Sequence, residues 1–293
     1  MNQLTLHAMA KINLGLDVTR RRPDGYHEVR MIMQTVNLFD ELSFSKIEED
    51  ELRLSTNLGF LPTDKNNLII KAASLLKEEF GIKEGLDIRL KKNIPVAAGM
   101  AGGSTDAAAA FVAVNEMFGL GLSKEELQKR AVKVGADVPY CIQGGTALSE
   151  GIGEILTALP KAPECIVVIA KPPVHVSTKF VYQNLHLDQI EKHPDIDGIL
   201  ESIEKDDIYG VAKRLENVLE TVTVKEFPVI ERIKKKMMDH GAIGALMSGS
   251  GPTVFGLYDN KKQAEKACAA LKASKMAKDV LRTSFIEQTC IRA

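Results

Sequence analysis

The chain has 293 residues, of which 45% are hydrophobic, and its formal net charge at pH 7 is −1. This length suits one large or two ordinary domains, and the near-zero charge gives no reason to expect nucleic acid or an anionic membrane as a partner. No apolar run approaches a membrane span and no signal-peptide pattern opens the chain, so we expect a cytoplasmic protein. The four cysteines form no C-x-x-C pair, which predicts reduced thiols rather than disulfides or a zinc site.

The first part of the chain is predicted to form hairpins. Residues 5–19 are apolar and partly alternating, residues 20–25 (RRRPDG) are a turn, and residues 26–37 form the returning strand. Short strands at 40–45 and 51–55 follow. The sheet is therefore expected to be mostly antiparallel, and the three arginines of the turn are interpreted as a solvated loop.

Two polar side chains interrupt the apolar run AKINL. Lys11 and Asn13 are two residues apart, so they project from the same face of a strand. A solvated edge strand is the ordinary interpretation, but a cation beside an amide also suits a phosphate or a polyol. Tyr26 and His27 begin the returning strand, where they could stack on and hydrogen-bond a ring or simply be strand residues.

The stretch PVAAGMAGGSTDAAAA at residues 95–110 carries the clearest functional signal. It follows an alternating strand at 86–90, and its glycines Gly99, Gly102 and Gly103 are expected to permit positive φ in a tight turn. A glycine turn before a helix presents backbone N–H groups that favour phosphate. No Gly-Lys-Ser/Thr ends the motif, so the balancing positive charge must come from elsewhere in the chain.

The helix after this turn begins with polar residues. Ser104 and Thr105 are favourable N-caps, and Asp106 in the first turn suits the helix dipole. An earlier helix is predicted at 64–80, where apolar residues recur at helical spacing.

The segment GADVP contains one carboxylate between apolar residues. A helix is predicted at 123–133, and Gly135 suits its C-cap. Asp137 then lies between alanine and valine, where a carboxylate without a partner is costly. Two interpretations stay open: an N-cap for a short helix at 138–142, or a base paired with a lysine.

The composition changes at residues 160–163, so we expect two domains, 1–160 and 161–293. In the second, strands and helices with a glycine loop between two of the strands indicate an α+β sandwich. Its strands are predicted at 165–170, 242–247, 253–258 and 280–286, and its helices at 177–183, 206–218, 227–240 and 261–274.

Three signatures now stand in one chain: AKINL, PVAAGMAGGSTDAAAA and MSGSGPTVFG. Their order and spacing resemble the GHMP kinase superfamily, small-molecule kinases that include galactokinase, homoserine kinase and mevalonate kinase. The motifs RPDGYHEV, DKNNLI and GADVPYCIQGGTALSEGIGE resemble the branch that phosphorylates the 2-hydroxyl of a cytidine-diphosphate-linked methylerythritol on a route to isoprenoids. A relative acting on homoserine, mevalonate or a sugar is the nearest alternative.

The resemblance implies the GHMP kinase fold, an α+β fold with two domains. These are an N-terminal α/β nucleotide-binding domain with a mixed or antiparallel sheet and a C-terminal ferredoxin-like α/β sandwich, with substrate in the cleft between them. It also implies ATP as co-substrate, with Mg²⁺. The residues expected at ATP are Pro95, Val96, Ala97, Ala98, Gly99, Met100, Ala101, Gly102, Gly103, Ser104 and Thr105, with Asn67 near the adenine.

The resemblance assigns Lys11 and Asp137 as the catalytic pair. Asp137 would take the proton from the hydroxyl, while Lys11 would keep Asp137 ionised and stabilise charge on the moving phosphoryl group. No metal ligand is assigned, although Ser104 is a possible Mg²⁺ contact by analogy with the superfamily.

The resemblance also places five residues at the substrate. Tyr26 and His27 would hold the cytosine, and Tyr182 would pack on the other face of the ring. Asn13 would position the substrate, and Thr178 lies near the same site.

The glycine loop departs from the family pattern where alanines replace glycines. Since alanine is tolerated best where φ is negative, the replaced positions 97, 98 and 101 are expected to include some with ordinary backbone geometry. A non-catalytic nucleotide-sensing or RNA-binding module is the alternative from another class, and the near-zero charge weighs against it. A monomer or a weak homodimer is expected.

Overall fold

The computed structural model describes all residues from Met1 to Ala293. The strands are β1 (Gln3–Arg21), β2 (His27–Ile47), β3 (Leu52–Thr56), β4 (Gly85–Lys91), β5 (Thr146–Glu150), β6 (Ile155–Ala158), β7 (Ile166–Lys171), β8 (Glu216–Asn217), β9 (Gly244–Met247), β10 (Val254–Tyr258), β11 (Asp279–Ser284) and β12 (Ile291–Arg292). The α-helices are α1 (Leu68–Phe80), α2 (Gly102–Met117), α3 (Lys124–Ala131), α4 (Val138–Gln143), α5 (Thr178–Gln183), α6 (Ile196–Glu204), α7 (Ile208–Lys213), α8 (Glu220–Glu226), α9 (Val229–Asp239) and α10 (Lys261–Ser274).

The first sheet is built on the long antiparallel hairpin of β1 and β2. Strands β4 and β5 each pair with β2 in the antiparallel sense, and β3 pairs with β4 in parallel. The prediction of separate strands at 26–37 and 40–45 is wrong, because pairing with β1 continues across a register shift opposite Met9 and Ala10. The expected mixed, mainly antiparallel sheet is confirmed.

Helix α2 packs against α1 and β1 and is buried on nearly every side. Its run of alanines explains this position, since small side chains let neighbouring backbones approach closely. The predicted N-caps Ser104 and Thr105 are wrong: the helix begins at Gly102, and Ala101 occupies the N-cap position without a side-chain hydrogen bond. Both hydroxyl residues therefore lie inside the first turn.

Three other helix ends test the sequence patterns. Helix α1 begins at Leu68, later than the predicted 64, because the Asn67 side chain accepts a hydrogen bond from the N–H of Ile69 and caps it. Helix α3 begins as predicted, with Ser123 as its cap. It ends earlier than predicted, at Ala131 with Val132 as C-cap, so the C-cap prediction for Gly135 is wrong.

The second sheet has the order β11-β7-β10-β9 and is antiparallel throughout. Helices α9 and α10 pack on it, and they join its strands in a βαββαβ pattern. The predicted ferredoxin-like sandwich is confirmed. The sequence patterns missed α6 and α8, and the helix predicted at 206–218 is the shorter α7 followed by β8.

The two sheets are linked by more than the connection between β6 and β7, where the expected division at residues 160 and 161 falls. Strand β8 pairs with β1 in parallel, and β12 pairs with the other part of β1 in the antiparallel sense. Segments from the later half of the chain therefore complete the first sheet. No helix in the structure combines the length and the apolar character needed to cross a membrane.

Candidate active site

The glycine loop between β4 and α2 has three residues with left-handed backbone. They are Ala97 at φ 49°, Gly99 at φ 71° and Ala101 at φ 57°. The expectation of ordinary geometry is wrong for both of these alanines and holds only for Ala98. Each left-handed alanine costs about 1 kcal/mol, so tertiary contacts must hold the loop in this shape.

Gly99 is the point where this loop meets the loop between β9 and β10. A Cβ on Gly99 would stand 2.1 Å from the Ser248 carbonyl oxygen, which only glycine avoids. The Ser248 hydroxyl donates to the Gly99 carbonyl at 2.9 Å. Lys11 donates to the same carbonyl through Nζ at 3.3 Å.

Lys11 and Asn13 lie side by side on β1, as their spacing predicts. Lys11 is only 4% exposed, and its Nζ donates to Asn13 Oδ1 at 2.7 Å. The Lys11 backbone N–H donates to the Met100 carbonyl at 3.2 Å, which ties the strand to the glycine loop. The ammonium group is therefore held in one place by protein oxygens before any ligand arrives.

Asp137 occupies the N-cap position of α4, but its side chain makes no capping hydrogen bond. The carboxylate is half-buried and lines the same cavity as Lys11. No ion pair joins Asp137 to Lys11, whose Nζ is held instead by Asn13 and Gly99. Both charges affect the pKa of the buried Cys141 thiol. Burial raises this pKa most, Asp137 raises it further, and Lys11 lowers it.

An aromatic wall lies beside this pair of charges. The rings of His27 and Tyr182 are 5.2 Å apart between centroids and tilted by 39°. Burial and the nearby Arg21 guanidinium lower the pKa of His27, so its imidazole is neutral at pH 7 and can both donate and accept. Burial, and next Asp137, raise the pKa of the Tyr182 phenol. Tyr26 is 59% exposed at the rim.

The loop between β9 and β10 is held by side chains of the later half of the chain. Asn217 is 1% exposed, and its Nδ2 donates to the carbonyls of Met247 and Gly249 at 2.9 and 2.8 Å. Thr178 and Ser250 share a hydroxyl hydrogen bond of 2.8 Å, which connects α5 to this loop. Strand β1, the glycine loop and α5 therefore converge on one cleft.

The cleft is a cavity of about 680 Å³. Most of the residues predicted for the site line it: Lys11, Asn13, Tyr26, His27, Ala97, Ala98, Gly99, Ala101, Gly102, Gly103, Ser104, Asp137, Thr178 and Tyr182. The sequence patterns did not assign further lining residues, which include Arg21, Met31, Leu68, Ile152, Lys179, Leu219, Gly249 and Ser250. Gly249 and Ser250 belong to the third signature, which could have identified them.

Five predicted ATP residues lie outside the lining of the cavity. Met100 is buried in the core, and Thr105 donates its hydroxyl to the Met9 carbonyl at 2.7 Å. The Asn67 side chain caps α1 and donates to the Pro62 carbonyl at 2.8 Å. Val96 is half-buried, and Pro95 lines a separate groove. None of these five residues lines the cavity, and their assignment to ATP stays a prediction.

A buried charge cluster supports the beginning of α2. Lys92 pairs with Asp40 and with Asp106, the latter at 2.7 Å, and all three side chains are at most 4% exposed. Burial raises the pKa of Asp106 to about 8, with Lys92 opposing the increase, and its Oδ1 has no hydrogen-bond partner. The expectation that Asp106 complements the helix dipole is wrong, because the helix begins at Gly102, its first turn contains no acidic residue, and the Asp106 carboxyl group faces Lys92 instead.

Comparison with known proteins agrees with this arrangement. The model of the GHMP kinases N terminal domain matches residues 67–145, and the model of the GHMP kinases C terminal matches residues 199–278. A 4-diphosphocytidyl-2-C-methyl-D-erythritol kinase of Lachnoclostridium phytofermentans is 55% identical, covering 98% of this chain and 99% of the relative. The enzyme of that name from Caldicellulosiruptor saccharolyticus is 51% identical, covering 97% of each chain.

Solved structures give the same picture. A crystal structure of 4-(cytidine 5'-diphospho)-2C-methyl-D-erythritol kinase superposes with a TM-score of 0.83 at 31% identity, covering 97% of this chain and 100% of the other. A homoserine kinase from Cytophaga hutchinsonii superposes with a TM-score of 0.79, covering 99% and 96% of the two chains. At 22% identity, the second match speaks for the fold alone.

Proposed function

This chain belongs to the 4-diphosphocytidyl-2-C-methyl-D-erythritol kinase family of GHMP kinases, and we propose that it transfers the γ-phosphoryl group of ATP to the 2-hydroxyl of 4-diphosphocytidyl-2-C-methyl-D-erythritol. The products are the 2-phosphate and ADP. One observation carries the proposal: a buried lysine, a carboxylate with no hydrogen-bond partner, an aromatic wall and a glycine loop line one cavity.

ATP fits the glycine loop on steric and electrostatic grounds. GHMP kinases use ATP as co-substrate. A Cβ on Gly103 would meet nothing closer than Leu68 at 3.7 Å, so the beginning of α2 leaves room for a ligand against its backbone. The N–H groups at the start of this helix favour phosphate oxygens.

Mg²⁺ is part of the proposal as a partner of the nucleotide. No cluster of three His, Cys, Asp or Glu side chains is present to bind it, which fits an ion held chiefly by phosphates, with Ser104 as a possible contact. When bound, the ion would neutralise negative charge on the phosphates. The chain would supply the loop amides and Lys11.

Phosphoryl transfer depends mainly on position and charge, and Lys11 supplies both. Its ammonium is fixed by Asn13 Oδ1 and the Gly99 carbonyl, so little reorganisation is needed to stabilise charge on the moving phosphoryl group. Asp137 would accept the proton of the attacking hydroxyl as a general base. The structure holds the two groups apart, so Lys11 would act on the phosphoryl group more directly than on Asp137.

The aromatic wall supports recognition of a base. Centroids 5.2 Å apart leave no space between His27 and Tyr182, since a ring needs about 3.5 Å on each side. The base would therefore stack on this pair as one wall, with Tyr26 at the rim. Neutral His27 can donate to and accept from cytosine.

An ADP-release assay tests the proposal directly. ATP is offered with 4-diphosphocytidyl-2-C-methyl-D-erythritol, homoserine, mevalonate and galactose at equal concentrations, and phosphate position is read by NMR. Release with the cytidylyl alcohol and phosphate on its 2-oxygen are expected. Turnover of homoserine, mevalonate or the sugar in preference to it would support the alternative kinases and refute the proposal.

Three further statements belong to the proposal. The chain divides functionally at residues 160 and 161, with ATP bound chiefly by the first part. It acts in the cytoplasm, where a reducing environment suits its four free cysteines. It works as a monomer or weak homodimer, because a single copy brings together every side chain assigned to the reaction.

A further inference from the structure

Each ring of the aromatic wall has a cation next to it, Arg21 beside His27 and Lys179 beside Tyr182. Arg21 lies directly opposite His27 in the pairing of β1 with β2, and opposite residues of an antiparallel pair project from the same face. Lys179 and Tyr182 are three residues apart on α5, so they share a side of the helix. All four side chains line the same cavity.

Arg21 differs from its neighbours in having no acidic partner. Arg20 forms an ion pair with Glu28 at 2.7 Å, and Arg22 forms one with Asp24 at 3.1 Å. Both of these pairs lie at the protein surface. Arg21 is exposed as well, but it takes part in no ion pair and lines the cavity, where its positive charge lowers the pKa of His27.

The charge of the cavity as a whole is positive. Its lining contains three cations, Lys11, Arg21 and Lys179, against one carboxylate, Asp137, which leaves an excess of two positive charges. Lys179 is exposed and, like Arg21, has no ion pair. An unpaired excess of this kind attracts an anion of matching charge.

We propose that Arg21 and Lys179, the cations next to the two rings of the aromatic wall, bind the diphosphate of the nucleotide-linked substrate. This inference rests on the proposed function. A nucleoside 5'-diphosphate carries its phosphates one ribose away from the base, within reach of long side chains next to the base. The diphosphate diester carries two negative charges, which the excess in the cavity balances, so the two cations select for a nucleotide-linked alcohol over homoserine or mevalonate.

Glutamine variants test the two side chains, because glutamine keeps a polar, unbranched side chain of somewhat smaller length but removes the charge. We expect Arg21→Gln and Lys179→Gln each to raise the KM for the cytidylyl substrate about 5- to 10-fold, with kcat and the KM for ATP within about twofold of wild type. Arg20→Gln is the matched control, since Arg20 is paired with Glu28 outside the cavity, and should keep the wild-type KM. Arg21→Lys should recover most of the loss.

Competition by CDP and by cytidine separates this inference from the proposed function. Against wild type, CDP should inhibit at lower concentration than cytidine, and the double variant should lose most of that difference while binding cytidine as before. Unchanged substrate KM and unchanged CDP preference in an active double variant would overturn the role of Arg21 and Lys179 and leave the kinase assignment intact. A wild-type enzyme that turns over the substrate without preferring CDP to cytidine would also overturn it, whereas wild type inactive on the substrate contradicts the proposed function itself.

Discussion

The buried cluster of Lys92, Asp40 and Asp106 predicts how stability changes with pH when Asp106 is replaced by asparagine. Burial raises the pKa of Asp106 in the folded chain to about 8, well above the ordinary value of an aspartate. The folded chain therefore keeps a proton that the unfolded chain releases, and the contribution of Asp106 to stability falls as pH rises from about 4 to about 8. Asparagine mimics the protonated acid and has no such dependence.

The size of the effect follows from the shift. Each pKa unit corresponds to about 1.4 kcal/mol, so the free energy of unfolding should lose at most about 6 kcal/mol over the full window and about 4 kcal/mol between pH 5 and pH 8. Asparagine keeps an oxygen that accepts from Lys92. Its amide nitrogen replaces Oδ1 of Asp106, which has no hydrogen-bond partner in wild type either. The variant should therefore match wild type near pH 5 and exceed it in stability at pH 8.5.

Thermal unfolding by circular dichroism at several pH values measures this difference. At roughly 2 °C per kcal/mol for a chain of this size, Asp106→Asn should gain roughly 8 °C in Tm relative to wild type between pH 5 and pH 8.5. Asp40→Asn is the control: Asp40 accepts from Lys92 and from the N–H groups of Asn93 and Ile94, so its loss should destabilise at every pH. A Tm difference between Asp106→Asn and wild type that does not change with pH would refute a protonated Asp106.

The remaining predictions concern the cleft. Asp137→Asn should fold normally and lower kcat roughly 100- to 10,000-fold, the usual span for loss of a general base, and near-normal turnover would remove Asp137 from the mechanism. Tyr26→Ala should raise the KM for the cytidylyl substrate and leave ATP binding unchanged. If the variant and wild type have the same KM for this substrate, the base binds elsewhere. Gly99→Ala should unfold at lower temperature and bind ATP more weakly, because its Cβ would meet the Ser248 carbonyl at 2.1 Å. Gly119→Ala is its control, with a similar φ of 64° but nothing within 4 Å, and equal effects of both changes would show that the clash is unimportant.

Local spacing predicted the parts of the site that lie on single elements. The two-residue period of a strand places Lys11 and Asn13 on one face, and their side chains meet at 2.7 Å. The starts of α3 and α5, predicted at 123 and 177, are set by the same kind of short-range chemistry, because Ser123 and Ser177 cap these helices. These features depend on neighbours a few residues away, so the sequence contains all the information that they need.

Features that depend on distant partners could not be predicted in this way. The left-handed alanines of the glycine loop are held by contacts such as Ser248 to Gly99, which join residues 149 positions apart. The sequence suggests that Asp106 is an acid in the first turn of the helix, whereas in the structure it is a buried partner of Lys92. Arg21 is exposed, as expected for the turn, but its position opposite His27 follows only from the pairing of β1 with β2.

Strand β1 has a consequence for how ligands enter. It carries Lys11 and Asn13 and reaches Arg21, and it is bonded along its edge to β8 and β12 from the far part of the chain. Because β1 is hydrogen-bonded to strands from both halves of the chain, a hinge motion that separates the two halves is disfavoured. We therefore expect the cleft to admit and release its ligands through small movements of its rim, at the turn before Tyr26 and at α5, while the floor that bears the reacting groups stays fixed.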